Sequence, residues 1–208
     1  GVSEEELFTN GYRIYTSLDN NLQKYAEELY AMDELFPKSP STGLSCESAL
    51  VVLDASSGEI RALVGGREGV NDNNVIRKGL NRATQGRRQP GSVIKPLLIY
   101  APAIEHHGYT PVTFILDQET RFGSYKPSNY DGKFRGWITL RYALANSINI
   151  PAVRVLQDIG IINGISFAEK MGIPFADEDR EHLAIALGGL YKGVTPIELA
   201  RAYAVLAD

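Results

Sequence analysis

Ser92 and Lys95 are three residues apart in the sequence Pro-Gly-Ser-Val-Ile-Lys-Pro. On a helix, this spacing places the two side chains on one face, within reach of each other. A serine hydroxyl is a weak nucleophile until a base removes its proton. A lysine amine can be that base only when burial or nearby positive charge lowers its pKa from roughly 10.4 to about 7 or 8. Because apolar residues follow the motif, the sequence predicts a serine nucleophile activated by a buried lysine.

A second polar pair, Ser147 and Asn149, lies in a short break between two predicted helices. A hydroxyl in such a place can relay a proton to a leaving group, and an amide can orient a peptide substrate. Each motif alone has a simple structural alternative. Ser92 can be a helix N-cap beside a solvated Lys95, and Ser147 or Asn149 can cap the helix that begins near Pro151. Together, the two motifs favour catalysis.

Composition excludes several other classes of function. The chain has 208 residues, 44% of them hydrophobic and 22% charged, as in an ordinary folded protein. Its net charge of −4 gives no reason to expect nucleic acid as a partner. A single cysteine, Cys46, excludes an internal disulfide framework, and the three histidines lack metal-ligand spacing. We therefore expect neither a metal ion nor a cofactor.

The elements that must position these residues follow from the apolar pattern. A short strand is expected at 12–16 and a helix after the cap residue Asp19. The apolar runs 49–54 and 60–64 predict a β-hairpin in which Gly58 supplies a positive φ. The glycine-rich segment that follows is expected to be a loop, and the apolar run 93–104 a buried helix.

Loops and short helices are predicted for the C-terminal half. The segment 117–137 is expected to be loop, and the acidic segment 177–181 a solvated surface loop. The predicted helices run from the cap Thr139 to Ala145, from Ala152 to Ile159, from Ile165 to Met171 and, after the cap Thr195, from Pro196 to Leu206. Gly188 and Gly189 indicate a tight turn or a close approach of two backbones.

Longer stretches around the two motifs resemble the transpeptidase domain of class A, bifunctional penicillin-binding proteins. These stretches are NRATQGRRQPGSVIKP, YKPSNYDGKFRGWITLRYALANSINIPAVRV and ALGGLYKGVTPIELARAYAVLA. The resemblance runs from about residue 12 to the last residue. It implies that 1–47 form a linker or accessory segment after a presumed glycosyltransferase domain. Residues 48–208 would form the N-terminal portion of the penicillin-binding transpeptidase domain.

The resemblance implies an α/β (α+β) fold of the β-lactamase and transpeptidase type, with an antiparallel sheet flanked by helices. It implies a D,D-transpeptidase in which Ser92 attacks a peptidoglycan stem peptide ending in D-Ala-D-Ala and releases D-Ala. Lys95 would be the general base and Ser147 the proton relay. Asn149 would hold the donor peptide amide and support Lys95. β-Lactam antibiotics would acylate Ser92 because their ring mimics the D-Ala-D-Ala terminus.

Aromatic residues near the second motif are further candidates. By resemblance, Tyr130 and Trp137 would bind substrate, with Tyr125 and Asn129 lining or bordering the same cleft; packing within the loop is the alternative for each. The basic pair before the nucleophile, Arg87 and Arg88, is more typical of a solvated surface than of an anion site.

The third motif of the family, K-[TS]-G, occurs nowhere in the sequence. We therefore expect the C-terminal strands of the sheet to be missing from this chain and supplied by another segment of the same domain or another chain, because an exposed apolar sheet edge is unstable. Alternatives are a non-catalytic or incomplete penicillin-binding fragment and a hydrolytic relative, either a D,D-carboxypeptidase or a β-lactamase. The resemblance also implies an extracytoplasmic location, with the parent protein anchored by an N-terminal transmembrane helix outside this chain. The chain itself has no apolar run long enough to span a membrane.

Overall fold

The computed structural model describes residues 2–41, 43, 46–67 and 79–207. Two antiparallel strand pairs and several helices make up a mixed α/β architecture, as predicted. The strands are β1 (Leu50–Leu53), β2 (Ile60–Val64), β3 (Phe114–Asp117) and β4 (Gly136–Thr139). The α-helices are α1 (Glu4–Thr9), α2 (Asn20–Ala31), α3 (Ala101–His106), α4 (Leu140–Ala145), α5 (Asn149–Ile159), α6 (Ile161–Lys170) and α7 (Pro196–Ala207).

The predicted β1–β2 hairpin is confirmed, with Leu50 opposite Val64 and Gly58 at a φ of +71°. Helix α2 covers the outer edge of β2, where the side-chain amide of Gln23 donates to the carbonyl of Leu63 and accepts from its N–H. This amide takes the place of a neighbouring strand, so the edge of β2 is protected from pairing with another chain. Asp19 caps α2 as predicted, accepting from the backbone N–H groups of Asn21 and Leu22.

The predicted strand at 12–16 is wrong. These residues form no ladder, and Tyr15 is 87% exposed. Hydrogen bonds to β2 begin only after this segment, at Ser17 and Asp19. Ser17 Oγ donates to the carbonyl of Ile60, and the Asp19 N–H donates to the carbonyl of Arg61. The apolar side chains at 12–16 therefore have β propensity but no sheet surface to pack on.

The predicted helix at 93–104 is helical throughout but of mixed type. It starts as a 3₁₀ turn at Gly91–Ile94, continues as a π-helical turn at Pro96–Tyr100 and becomes regular in α3. Pro96 and Pro102 lack an N–H and so remove two bonds of an α-helical ladder. The apolar side chains of this segment form the centre of the core, with Leu97, Leu98 and Ile99 fully buried.

The other predicted helices are confirmed with shifted boundaries, since α5 begins at Asn149 and α6 at Ile161. Thr139 caps α4 as expected, accepting from the N–H of Tyr142. Thr195 and Glu198 cap α7 reciprocally, each accepting from the backbone N–H of the other.

Two interpretations of loops need correction. Strands β3 and β4 pair across the segment 117–137, with Asp117 opposite Gly136, so this segment is the connection of a hairpin. The acidic segment 177–181 is a 3₁₀ turn, and its Asp179 is buried. The Asp179 carboxylate accepts from the backbone N–H groups of Ala176 and Tyr191, which explains why it faces inward.

Part of the predicted loop after β2 lies outside the described residues, and its described end forms turns at 82–85. In the described part of the chain, no helix is both long and apolar enough to cross a lipid bilayer.

Candidate active site

The turn that carries Ser92 is held by a segment much later in the chain. Arg88 and Val194 exchange two backbone hydrogen bonds of 2.9 and 2.8 Å, and the Gln89 side chain donates to the carbonyl of Leu190. Gly91 has a φ of +57°, a conformation that favours glycine. Ser92 follows at the start of the 3₁₀ turn with its side chain exposed.

Gly188 packs directly against Gly91. A Cβ atom added to Gly188 would overlap the carbonyl oxygen, the nitrogen and the Cα of Gly91. Gly188 also has a φ of +81°, in the left-handed region. The predicted close approach of two backbones therefore occurs directly before the candidate nucleophile.

Lys95 is 1% exposed, and its ammonium group has three partners. Nζ donates to the carbonyl of Ser147 at 2.8 Å, to Ser147 Oγ at 3.1 Å and to Asn149 Oδ1 at 2.8 Å. The structure thus brings the lysine of the first motif together with both polar residues of the second.

Burial lowers the pKa of Lys95 to about 8. The cause is desolvation, which disfavours the charged form of an amine inside a protein. Within the described residues, its hydrogen-bond partners include no carboxylate that would reverse this effect. The amine is therefore partly neutral near pH 8, as a general base must be.

Ser147 holds its place through an unusual backbone conformation. Its φ is +51°, which makes it the one non-glycine residue with positive φ in the described part of the chain. This conformation allows α4 to end and α5 to begin within a few residues, and it turns the Ser147 carbonyl towards Lys95. Strained backbone of this kind is concentrated at functional sites.

Asn149 is the first residue of α5 and uses both ends of its side-chain amide. Oδ1 accepts from Lys95, and Nδ2 donates to the carbonyl of Ser128 at 2.9 Å. The second bond fixes the orientation of the amide, because only the oxygen can accept from the lysine. The contact with Ser128 is made by its backbone, and no residue type in the sequence indicates it.

Ser92 Oγ makes no hydrogen bond within the described residues, including none to Lys95. The hydroxyl lies on the exposed side of the turn, whereas Lys95 enters the core one turn later. Catalytic hydrogen bonds are often longer in the absence of substrate and tighten in the complex. The chain thus has a free hydroxyl and, close to it in sequence, a buried amine with a polar shell.

The two candidate substrate-binding aromatics lie at the surface. Tyr130 is fully exposed, and Trp137 on β4 is 67% exposed. Trp137 lines a surface groove of about 540 Å³ together with residues of β3 and α5, among them Phe114 and Arg154. None of Ser92, Lys95, Ser147 and Asn149 lines this groove.

The remaining candidates have structural contacts. Tyr125 is partly buried, and Asn129 is 3% exposed. Arg87 forms an ion pair of 2.6 Å with Glu198 and donates to the carbonyl of Gly193. Within the described ranges, no cluster of three or more acidic, histidine or cysteine side chains is arranged to bind a metal ion.

Comparison with known proteins relates this chain to one protein family. Residues 48–208 match the family model described as the penicillin binding protein transpeptidase domain. Penicillin-binding protein 1F of Bacillus subtilis (strain 168) is 37% identical over 206 residues, which cover 99% of this chain and 27% of that protein. The chain spans about a quarter of the length of the curated relatives it matches.

Solved structures show the same likeness. The crystal structure of penicillin-binding protein 1A from Haemophilus influenzae superposes with a TM-score of 0.66 at 32% identity, covering 82% of this chain and 25% of that one. The structure of PonA1 from Mycobacterium tuberculosis in complex with penicillin V gives a TM-score of 0.78 at 24% identity, covering 99% of this chain and 54% of that one. At that identity, the second likeness shows the fold alone.

The fold and the family match lead to one assignment. The strands and helices are those of a β-lactamase-like domain, and the relatives include class A penicillin-binding proteins along the whole length of this chain. The chain belongs to the penicillin-binding protein transpeptidase family.

Proposed function

We propose that the protein containing this chain is a peptidoglycan D,D-transpeptidase that works through an acyl-enzyme at Ser92. Its substrate is a stem peptide ending in D-Ala-D-Ala. The observation that carries the proposal is the buried Lys95 amine, which Ser147 and Asn149 hold one turn after an exposed serine. Such an amine is a base matched to a hydroxyl nucleophile.

The hydrogen-bond partners of Lys95 leave the lone pair of its neutral amine able to accept a proton. A neutral amine has two N–H groups and one lone pair, whereas the ammonium form has three N–H groups. The Ser147 carbonyl and Asn149 Oδ1 can only accept, so they take the two N–H groups of the neutral amine. The third partner, the Ser147 hydroxyl, can also donate. The lone pair is thereby left for a proton from Ser92 or from Ser147.

In the proposed reaction, Lys95 takes the proton of Ser92 as Oγ attacks the penultimate carbonyl carbon. The tetrahedral intermediate collapses when the C–N bond to the terminal D-Ala breaks, and the proton passes from Lys95 through Ser147 to the leaving amine. An amine from a stem peptide on a neighbouring peptidoglycan strand then attacks the Ser92 ester, forms the cross-link and returns a proton to Ser92. Asn149 keeps Lys95 in place in each step.

β-Lactams acylate Ser92 by the same attack. The ring amide opens, but its nitrogen stays tethered to the acyl group, so the leaving group does not diffuse away. A long-lived adduct is expected of a penicillin-binding enzyme that deacylates slowly, whereas a β-lactamase hydrolyses its adduct rapidly.

We also propose a source for the third motif, a role for two aromatic residues and a location for the protein. The K-[TS]-G strand comes from a segment outside these 208 residues and supplies one N–H donor to the oxyanion of the tetrahedral intermediate and the contacts to the substrate carboxylate. Tyr130 and Trp137 border the path of the substrate. The parent protein acts outside the cytoplasm, where peptidoglycan is cross-linked, and is anchored in the membrane by an N-terminal helix outside this chain.

Intact mass after incubation with benzylpenicillin tests the proposal. We expect the natural full-length protein to gain the mass of one penicillin, and Ser92→Ala to gain none. A wild-type protein without an adduct contradicts the proposal for the parent protein. An adduct that appears transiently, with hydrolysed antibiotic in solution, instead supports a β-lactamase. The 208-residue chain, tested in parallel, shows whether the K-[TS]-G strand is needed for acylation.

A further inference from the structure

Asn129 is a buried side chain with four hydrogen bonds, two of which hold the backbone at the start of α5. Its Oδ1 accepts from the backbone N–H groups of Asn149 and Ile150, each at 3.1 Å. Its Nδ2 donates to Asp117 Oδ1 and to the carbonyl of Lys133, each at 2.8 Å. A buried amide with every position filled has one orientation only.

Asp117 contributes to that orientation, together with the Lys133 carbonyl and the two backbone N–H groups. It is the last residue of β3 and is fully buried. Oδ1 accepts from Asn129, Oδ2 accepts from the backbone N–H of Arg135, and the Arg135 guanidinium lies 3.7 Å from Oδ2. Asn129 accordingly turns its Nδ2 towards the Asp117 side chain and its Oδ1 towards the backbone N–H groups of α5.

Two consecutive residues, Ser128 and Asn129, therefore fix the position of Asn149. The carbonyl of Ser128 accepts from the Asn149 side chain, and the side chain of Asn129 accepts from the Asn149 main chain. Together these bonds fix the position of the first turn of α5 and the direction of the Asn149 amide. The consequence is that Asn149 Oδ1 faces Lys95.

We propose that Asn129, oriented by Asp117, is a positioning residue for the lysine base: it holds Asn149 so that Oδ1 stays bonded to Lys95 Nζ. The proposal rests on the proposed function, because it concerns the rate of acylation at Ser92. It differs from simple helix capping, which would affect the stability of α5 without a specific link to the Asn149 side chain.

A double-mutant cycle on acylation by a chromogenic β-lactam tests this link. We expect Asn129→Ala to slow acylation of the natural full-length protein by about 10- to 100-fold. In a protein that already carries Asn149→Ala, the same change should slow it by less than about threefold, because the group through which Asn129 acts is gone. Equal effects in both backgrounds would overturn the proposal.

Asp117→Asn gives a second test that keeps the size of the buried side chain. Asp117 accepts from two donors, Asn129 Nδ2 and the backbone N–H of Arg135. An amide has a single oxygen, so in the variant one of these donors faces another donor. We expect Asp117→Asn to slow acylation of the natural full-length protein by about tenfold, and by less than about threefold when Asn149→Ala is already present. A folded Asp117→Asn variant that acylates at the wild-type rate contradicts the role of Asp117.

Asp19→Ala is the matched control. Asp19 also accepts from two backbone N–H groups at the start of a helix, α2, but it does not contact Asn149 or Lys95. We expect it to lower the melting temperature without changing the acylation rate of the folded protein. A comparable slowing in this variant would assign the effect of Asn129 to stability. If the wild-type protein is not acylated at all, the proposed function fails instead of the positioning role.

Discussion

Gly188 lies against Gly91 so closely that no side chain fits between the two backbones. The contact joins the turn before the candidate nucleophile to the end of the 3₁₀ segment Leu183–Leu187. Because Gly91 itself has open space at its Cβ position, the constraint acts on Gly188 alone. The position of Ser92 is thus set in part by a residue that contacts no catalytic group.

Gly188→Ala should therefore impair both stability and acylation. The new methyl group needs a positive φ and overlaps the Gly91 backbone. We expect a loss of about 3 kcal/mol or more in the free energy of unfolding, together with a large fall in the acylation rate. Denaturant unfolding and β-lactam acylation measure the two effects.

Gly108→Ala separates the clash from the backbone strain. Gly108 has a φ of +71° but open space at its Cβ position. It should therefore lose only about 1–2 kcal/mol and acylate at the wild-type rate. Equal behaviour of the two variants would show that the contact with Gly91 has no role.

Lys95→Arg should abolish acylation although it keeps the positive charge. A guanidinium stays protonated at any pH where proteins are stable, so it cannot take the proton of Ser92. We expect the acylation rate to fall by about 1,000-fold or more. Lys192→Arg, at an exposed position, is the control and should acylate as wild type does. Substantial acylation by Lys95→Arg would exclude Lys95 as the base.

The pH profile of acylation should follow the Lys95 amine. Because burial lowers its pKa to about 8, the neutral fraction grows as pH rises from 6 to about 8. The rate should rise over this range, reach about half of its maximum near pH 8 and level off above about pH 9. A profile that is flat between pH 6 and 8 would contradict the assignment.

The lowered pKa of Lys95 also makes the free energy of unfolding depend on pH. This dependence has the opposite sign from the one that a salt-bridged lysine, with its raised pKa, would cause. The folded-state pKa is lower than the ordinary value of 10.5, so the folded protein binds fewer protons than the unfolded chain between about pH 8 and 10. Stability should therefore rise with pH in this window. In Lys95→Met, the free energy of unfolding, measured by denaturant unfolding at several pH values, should rise less steeply with pH.

Ser147→Gly and Ser147→Ala separate chemistry from backbone strain. Both remove the hydroxyl next to Lys95, so both should slow acylation by about 10- to 100-fold. Only glycine adopts the φ of +51° without strain, so Ser147→Gly should be about 1 kcal/mol more stable than Ser147→Ala. If Ser147→Gly acylates at the wild-type rate, the hydroxyl is not a relay.

Arg87→Met tests whether the basic pair binds an anion. Its guanidinium is partly exposed and paired with Glu198, so its removal should cost about 1 kcal/mol at most. We expect acylation by an anionic β-lactam to change by less than about threefold. Arg121→Met, which removes the same charge at an exposed position, is the control. A selective tenfold loss at Arg87 would instead support anion binding.

Local signals in the sequence predicted the helices well. Asp19 and Thr139 act as caps in the structure because a capping bond joins residues two or three apart. The S-x-x-K and S-x-N motifs predicted a polar pair, and the structure places Lys95 between Ser147 and Asn149. That proximity depends on the fold, so only the resemblance to a family could indicate it.

Long-range partners explain what the sequence did not show. Strand β3 is only four residues long and finds β4 across a loop rich in polar residues. Asn129 is one of many polar residues of that loop, and its burial follows from Asp117 and the start of α5. The segment 12–16 has strand-like residues but pairs with no strand in the described part of the chain. In each case, the presence or absence of a partner elsewhere in the chain decides the structure, and residue type alone does not indicate it.

The distances along the chain also affect the conformational entropy that folding costs. Lys95 reaches its partners 52 and 54 residues later, whereas the segment before Ser92 is held by contacts 101 to 111 residues later, from Gln89 to Leu190 and from Arg87 to Gly193 and Glu198. The second set of contacts thus closes loops about twice as long as the first, and each doubling of loop length costs about 0.6 kcal/mol. The contacts of the base therefore form at a lower entropic cost than those that hold the turn of the nucleophile.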